Sequence, residues 1–167
     1  SNLKMAEELG ADSTLRVSTD PTKKPGPAPD HEIADKICQQ CFGEGVDVAF
    51  EMSGSNQALN TAISSTRAGG DIILFGLSSG DYILTEFQNI ILNGISMHSV
   101  VGRNVFQTWY ITSNLLMSRG HSLQDKIYDV ILNRGKDTVF PFKDFDKKIE
   151  EGKPISTQYA DKVKTDS

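Results

Sequence analysis

The spacing of apolar positions changes period along the chain, and each change marks an element. Leu3, Met5, Ala6 and Leu9 recur at near-helical spacing with Gly10 behind them, which predicts an opening helix. Residues 14–17 have strand character; residues 20–29 then gather four prolines and a glycine and predict a surface loop. Asp30 is a candidate N-cap for a helix with Ile33, Ala34, Ile37, Cys38 and Cys41 on one face, stopped by Gly43 and Gly45. A buried strand over 46–50 follows.

Ser53, Gly54 and Ser55 turn the chain into another helix, with Ala58, Leu59, Ala62 and Ile63 facing inward. Gly69 and Gly70 return it to a strand over 72–75. A loop over 76–80, a short helix over 85–93, a strand over 95–101 and a helix over 105–117 complete the pattern. Val105, Trp109 and Leu116 share a stripe of that last helix, which reads Trp109 as a core residue. Beyond it the spacing predicts a helix over 123–132, a strand over 138–140 and a charged helix over 142–151, then a polar tail over 153–167. No solenoid or propeller period is present. Strand and helix alternating in this way predict an α/β fold on a parallel sheet with right-handed crossovers.

The 167 residues suffice for one ordinary domain. A net charge of −5, with no lysine and arginine cluster interleaved with aromatics, gives no footprint for a nucleic-acid backbone. No apolar run approaches the roughly 20 residues that cross a bilayer, so membrane insertion is not expected. The first residues carry Glu7 and Glu8 and lack a signal-peptide pattern, and two cysteines are too few for a disulfide framework. A cytoplasmic location and a reducing compartment are the expectations that follow.

In an open parallel sheet, ligands bind beyond the carboxyl ends of the strands. Those positions here are 51–54, 76–79 and 102–103, all rich in glycine or serine. A missing β-carbon there lets backbone approach a ligand closely, although such glycines also serve simply to turn a chain.

Taken together, Glu51-Met52-Ser53-Gly54, Arg67-Ala68-Gly69-Gly70 leading into Leu74-Phe75-Gly76-Leu77, and Val100-Val101-Gly102-Arg103 resemble the C-terminal half of the medium-chain, zinc-type NAD-dependent alcohol dehydrogenases. The run Gly102-Arg103-Asn104-Val105-Phe106-Gln107-Thr108-Trp109-Tyr110 is similar to the Gly-Arg-x-x-Phe-x-Thr-Trp-Tyr signature of the family's threonine dehydrogenase branch, with which Glu51 to Gly54 agrees. The likeness covers residues 3–152.

The resemblance implies an α/β fold, an incomplete doubly wound parallel sheet of Rossmann type without its first βαβ phosphate-binding turn. Residues 1–152 would be a partial NAD-binding domain; the N-terminal domain, with its catalytic zinc ligands, structural zinc lobe and proton-relay histidine, would be absent. So would the Gly-x-Gly-x-x-Gly turn that meets the pyrophosphate and the acidic residue that binds the adenine ribose. Asn2 stands where the threonine dehydrogenases carry an arginine near that acidic residue.

NAD contacts carried over from the family fall on Phe75, Gly76, Leu77, Val100 and Val101, with Ser53 and Gly54 lining the adjoining wall, mostly by backbone. Arg103 is a further candidate, read either as a cofactor or substrate-cleft contact or as a helix-end ion pair. No catalytic residue and no metal ligand is assigned to this chain; zinc belongs to the parent family. The strand 95–101 is the family's dimer edge, which implies a homodimer, and a separate N-terminal catalytic chain is an implied partner.

The parent reaction would be hydride transfer from a secondary alcohol to NAD, with a weak or incomplete cofactor site and no activity in this chain alone. The alternatives are a non-catalytic dimerising relic or a subunit of a split dehydrogenase. A stand-alone fold binding another nucleotide, such as S-adenosylmethionine, is opposed by the Gly102 to Tyr110 run. Cys38-Gln39-Gln40-Cys41 has the spacing of metal and redox sites, but without a second Cys or His pair it reads as core packing. His31 and His121 read as solvated loop residues and His98 as a structural strand residue, none with an evident carboxylate partner.

Overall fold

The computed structural model describes residues 2–17, 26–101, 104–118, 120 and 122–136. The chain divides into two compact units, Leu15–Arg103 and a second made of Ser1–Thr14 with Asn104–Ser167.

In Leu15–Arg103, helix α2 (His31–Gln40) starts where Asp30 accepts from the Ile33 N–H at 3.1 Å. It ends where the Cys38 carbonyl accepts from Cys41 and Gly43 at 2.9 and 2.8 Å. Gly43, at φ +87°, occupies the left-handed conformation that this closure requires. Strand β1 (Val46–Glu51), helix α3 (Asn56–Ser65), strand β2 (Thr66–Leu74), helix α4 (Phe87–Leu92) and strand β3 (Ser96–Ser99) follow. The three strands lie in the order β1-β2-β3, both pairs parallel.

Register explains the core. Ala49, Ile72 and Met97 are aligned across the sheet and share one face. That face packs with Leu59 and Ile63 of α3 and with Ile95; Ile63 and Ile72 are fully buried. Each such isoleucine contributes about 1.5–3 kcal/mol by leaving water. The row Phe50, Ile73 and His98 lies on the other face, where Phe50 is 68% exposed.

Several expectations change. Residues 14–17 form no strand, because a strand needs a ladder partner and none of the described residues pairs with them. The Gly69-Gly70 pair does not precede β2 but lies inside it, in a bulge where Asp47 alone opposes residues 67–70. Gly69 sits at φ +69°, and Arg67 donates to Asp47 across the bulge at 2.5 Å. The expected helix over 85–93 contracts to Phe87–Leu92 and the strand over 95–101 to Ser96–Ser99.

In the second unit, α1 (Asn2–Leu9) and α5 (Val105–Met117) stand as predicted. The predicted helix over 123–132 starts as α6 (Leu123–Lys126), widens to a π turn at Ile127–Ile131 and ends in a 3-10 turn at Asn133–Gly135. Lys126 reaches back to the Leu9 carbonyl at 3.3 Å. The core role expected of Trp109 is not found: it is 54% exposed, and no residue of α5 is buried. An apolar stripe is buried only where another layer covers it. The expected strand over 138–140, the helix over 142–151 and the tail over 153–167 lie outside the described residues.

Candidate cofactor site at the strand ends

The chain leaves all three strands at one edge of the sheet, and two of the departing loops lock together backbone to backbone. The Phe75 and Gly76 N–H groups both donate to the Glu51 carbonyl at 2.9 Å, so the end of β2 is bonded to the end of β1. The Val100 N–H donates to the Leu74 carbonyl at 3.0 Å and carries the third strand end to the same place. Ser53, Gly54, Phe75, Gly76, Leu77, Val100 and Val101 thus lie at one edge of the sheet. Gly102 and Arg103 lie outside the described residues.

Glu51 organises this edge, a role its sequence position did not announce. The residue is buried, at 4% exposure, and its Oε1 accepts from the Ser53 N–H at 2.8 Å, the Ser53 hydroxyl at 2.6 Å and the Gly54 N–H at 3.0 Å. A carboxylate can leave water only when its lone pairs are satisfied in this way. The available signal was an acid closing an apolar strand directly before Met-Ser-Gly. The Ser53 hydroxyl is already engaged, donating to Glu51 and accepting from the Ser55 N–H at 3.2 Å.

The two glycines serve a purpose other than the one expected. A β-carbon on Gly54, at φ +70°, would fall on the Leu77 carbonyl, and one on Gly76 would fall on the Gly54 backbone and the Glu51 carboxylate. The space their missing side chains leave is filled by the opposing loop and not left open to a ligand. What remains open are apolar side chains: Phe75 is 52% exposed, Leu77 88%, Val100 44% and Val101 92%. A flat ring held by apolar contact and backbone groups, such as a nicotinamide, would fit such a surface.

A zinc ion has no such fit, for no group of three or more His, Cys, Asp and Glu lies together among the described residues. Cys38 and Cys41 are free and half-buried; burial pushes the Cys38 thiol above its ordinary range, and Asp35 and Cys41 add to the shift. His98, expected to lack a carboxylate partner, has one: its Nε2 lies 2.8 Å from Asp71 Oδ1. Only the β2–β3 register unites residues so distant in sequence. His31 is the exposed first residue of α2, and His121 lies outside the described residues. No helix among the described residues is long and apolar enough to cross a membrane.

Comparison with known proteins places this edge in a family context. The family profile described as zinc-binding dehydrogenase matches residues 1–118. The L-threonine 3-dehydrogenase of Cutibacterium acnes is 34% identical over 116 residues, which are 70% of this chain and 30% of that protein. The enzyme of the same name from Francisella philomiragia is 31% identical over 70% of this chain and 32% of its own length. The chain therefore spans about a third of the curated relatives it matches. Among solved structures, benzyl alcohol dehydrogenase from Acinetobacter calcoaceticus superposes with a TM-score of 0.56 at 19% identity, over 81% of this chain and 36% of that one. An alcohol dehydrogenase from Thermotoga maritima gives 0.53 at 22% identity, over 75% and 32%. At these identities the two structures speak to the fold, an α/β arrangement of Rossmann type.

Proposed function

The chain belongs to the zinc-binding dehydrogenase family, and from that premise we propose that it is the C-terminal cofactor-binding portion of an NAD-dependent medium-chain dehydrogenase. The whole enzyme oxidises a secondary alcohol by hydride transfer, and this chain alone is inactive. The observation that carries the reading is the meeting of three parallel strand ends, held by Glu51 and the Leu74 carbonyl, beneath an exposed apolar surface.

NAD, when bound, supplies the nicotinamide ring that accepts the hydride. The residues of this chain would hold and orient it: Phe75, Gly76 and Leu77 at the end of β2, Val100 and Val101 at the end of β3, with Ser53 and Gly54 as the adjoining wall. Arg103, outside the described residues, is a further candidate contact, with a helix-end ion pair as its other reading. Apolar side chains there exclude water from the face they cover. Zinc ligands and the substrate pocket belong to the part of the family's length that these residues do not span, and the cytoplasm is the location assigned to the assembly. The side-chain hydroxyl of threonine is the secondary alcohol to test first, because the relatives are named for it.

Two experiments test the reading. Calorimetric titration of the chain with NAD is expected to give weak binding, and micromolar affinity would contradict the incomplete site. Mixing the chain with the matching N-terminal polypeptide of a threonine dehydrogenase is expected to restore zinc-dependent NADH production. Failure with every such partner would leave a dimerising relic. That second reading is favoured by one observation, that β3 is bonded to β2 alone among the described residues and offers its other edge for pairing. A second copy pairing there would give a sedimenting dimer; a monomer at high concentration would exclude it.

A further inference from the structure

The segment from Gly76 to Glu86 contains neither helix nor strand, yet it is tied to α3 at regular intervals. Asn56 donates from Nδ2 to the Asp81 carbonyl at 3.0 Å and accepts at Oδ1 from the Ile83 N–H at 2.7 Å. Asn60, one helical turn later, donates to the Ile83 carbonyl at 2.7 Å and accepts from the Thr85 N–H at 3.0 Å. Two carboxamides therefore engage residues 81, 83 and 85 as a neighbouring strand would.

The match is geometric. Four residues of helix rise about 6 Å, and two residues of extended chain rise about 6.6 Å, so side chains at i and i+4 meet alternate residues of an extended partner. Asn60 is fully buried and also donates to the Pro27 carbonyl at 2.6 Å, which fixes the orientation of its amide: carbonyls face its nitrogen and N–H groups its oxygen. Between Asp81 and Ile83 stands Tyr82, whose hydroxyl donates to the Gly76 carbonyl at 2.9 Å. The restraint imposed by α3 on residues 81–85 thereby reaches Gly76, the residue at the centre of the candidate cofactor surface.

We infer that Asn56, Asn60 and Tyr82 are positioning residues: a clamp from α3 that sets the backbone of Gly76 and Leu77 for the nicotinamide side of the cofactor. The inference rests on the NAD reading for its purpose and on these hydrogen bonds for its mechanism. Between the anchors, from Leu77 to Gly80, the Gly80 N–H bonds to the Ser78 hydroxyl at 3.2 Å and the Leu77 backbone packs against Gly54. Without the clamp, Gly76 would keep its N–H bond to Glu51 but lose the restraint on its carbonyl.

The test uses the full chain with Tyr82→Phe and Asn56→Ala, since Asn60, buried at the centre, risks the fold itself. Tyr82→Phe, which removes one hydrogen bond, is expected to move the carbonyl carbon resonance of Gly76 and to raise amide exchange at Gly76 and Leu77 roughly fivefold; Asn56→Ala, which removes the bonds to both Asp81 and Ile83, is expected to do so at least as strongly. Exchange at Ile72 in the sheet should stay unchanged, and NAD titrated by chemical shift should bind several-fold more weakly. Asn56→Asp, which retains the acceptor for Ile83, should fall between wild type and Asn56→Ala. Wild-type Gly76 signals in both variants would overturn the clamp, as would altered signals with NAD affinity unchanged. Should the wild-type chain show no NAD-dependent shift at Phe75 to Leu77, the functional reading fails, and the Gly76 resonance in the variants still decides the clamp.

Discussion

Helices α3 and α5 are both legible from apolar spacing, and they meet opposite fates. Over its ten residues α3 buries Leu59, Asn60, Thr61, Ile63 and Ser65, two of them apolar and three polar. The thirteen residues of α5 are more uniformly apolar, and none is buried. Phe106 is 87% exposed and Tyr110 70%. Apolar character measures what a helix gains from being covered; it does not say whether a cover exists. The polar residues of α3 show the converse, since Asn60 is buried because backbone groups surround it, not because its side chain avoids water.

The sharpest way to break this contrast is to remove bulk on both sides of it. Ile72→Ala, beneath α3, should cost about 2–5 kcal/mol in the denaturant midpoint, as a truncated and fully enclosed side chain does. A loss below about 1 kcal/mol would mean the sheet face is not the core described here. Next in size is Gly76→Ala, whose β-carbon meets the Gly54 backbone. It should cost about 1–3 kcal/mol by forcing the two loops apart, and amide exchange at Ser53 and Gly54 should rise with it. A neutral Gly76→Ala would show that the loops are not locked.

On the other side, Trp109→Ala and Leu115→Ala should each change the stability of this chain by no more than about 0.5 kcal/mol, the range of exposed positions. If a partner polypeptide covers α5, the same variants should weaken that association, and a stability loss in the isolated chain would mean α5 is already covered. The smallest expected effect concerns Cys38. Its raised thiol pKa keeps it protonated at neutral pH, so iodoacetamide should label it more slowly than a free cysteine and speed up only above the ordinary thiol range. The sign for stability follows: the folded state favours the protonated thiol, so its contribution is complete below the ordinary thiol pKa and is lost as pH rises through the elevated one.

Much of the candidate site could be read from particular residues. Phe75-Gly76-Leu77 and Val100-Val101 lie at neighbouring strand ends, as alternating helices and strands on a parallel sheet require. The purpose of Gly54 and Gly76 could not be read, because a glycine's free space does not announce whether a ligand or another loop fills it. Nor could the role of Glu51, whose side chain bonds to residues beside it in sequence but is buried by loops that fold over it. The Asn56–Asn60 pair has a spacing visible in the sequence, although nothing there marks residues 81–85 as its partner.

The order of elements, the helix start at Asp30, the glycine that closes α2 and the inward face of α3 were settled by local chemistry: caps, backbone conformations and apolar period all act within a few residues. The pairing of His98 with Asp71, the bulge opposite Asp47, the exposure of α5 and the clamp on Gly76 were settled only in three dimensions. Each depends on strand register or on what lies across a gap. Except for the Tyr82–Gly76 bond, the hydrogen bonds involved join residues twenty or more positions apart, which only the folded chain brings within reach.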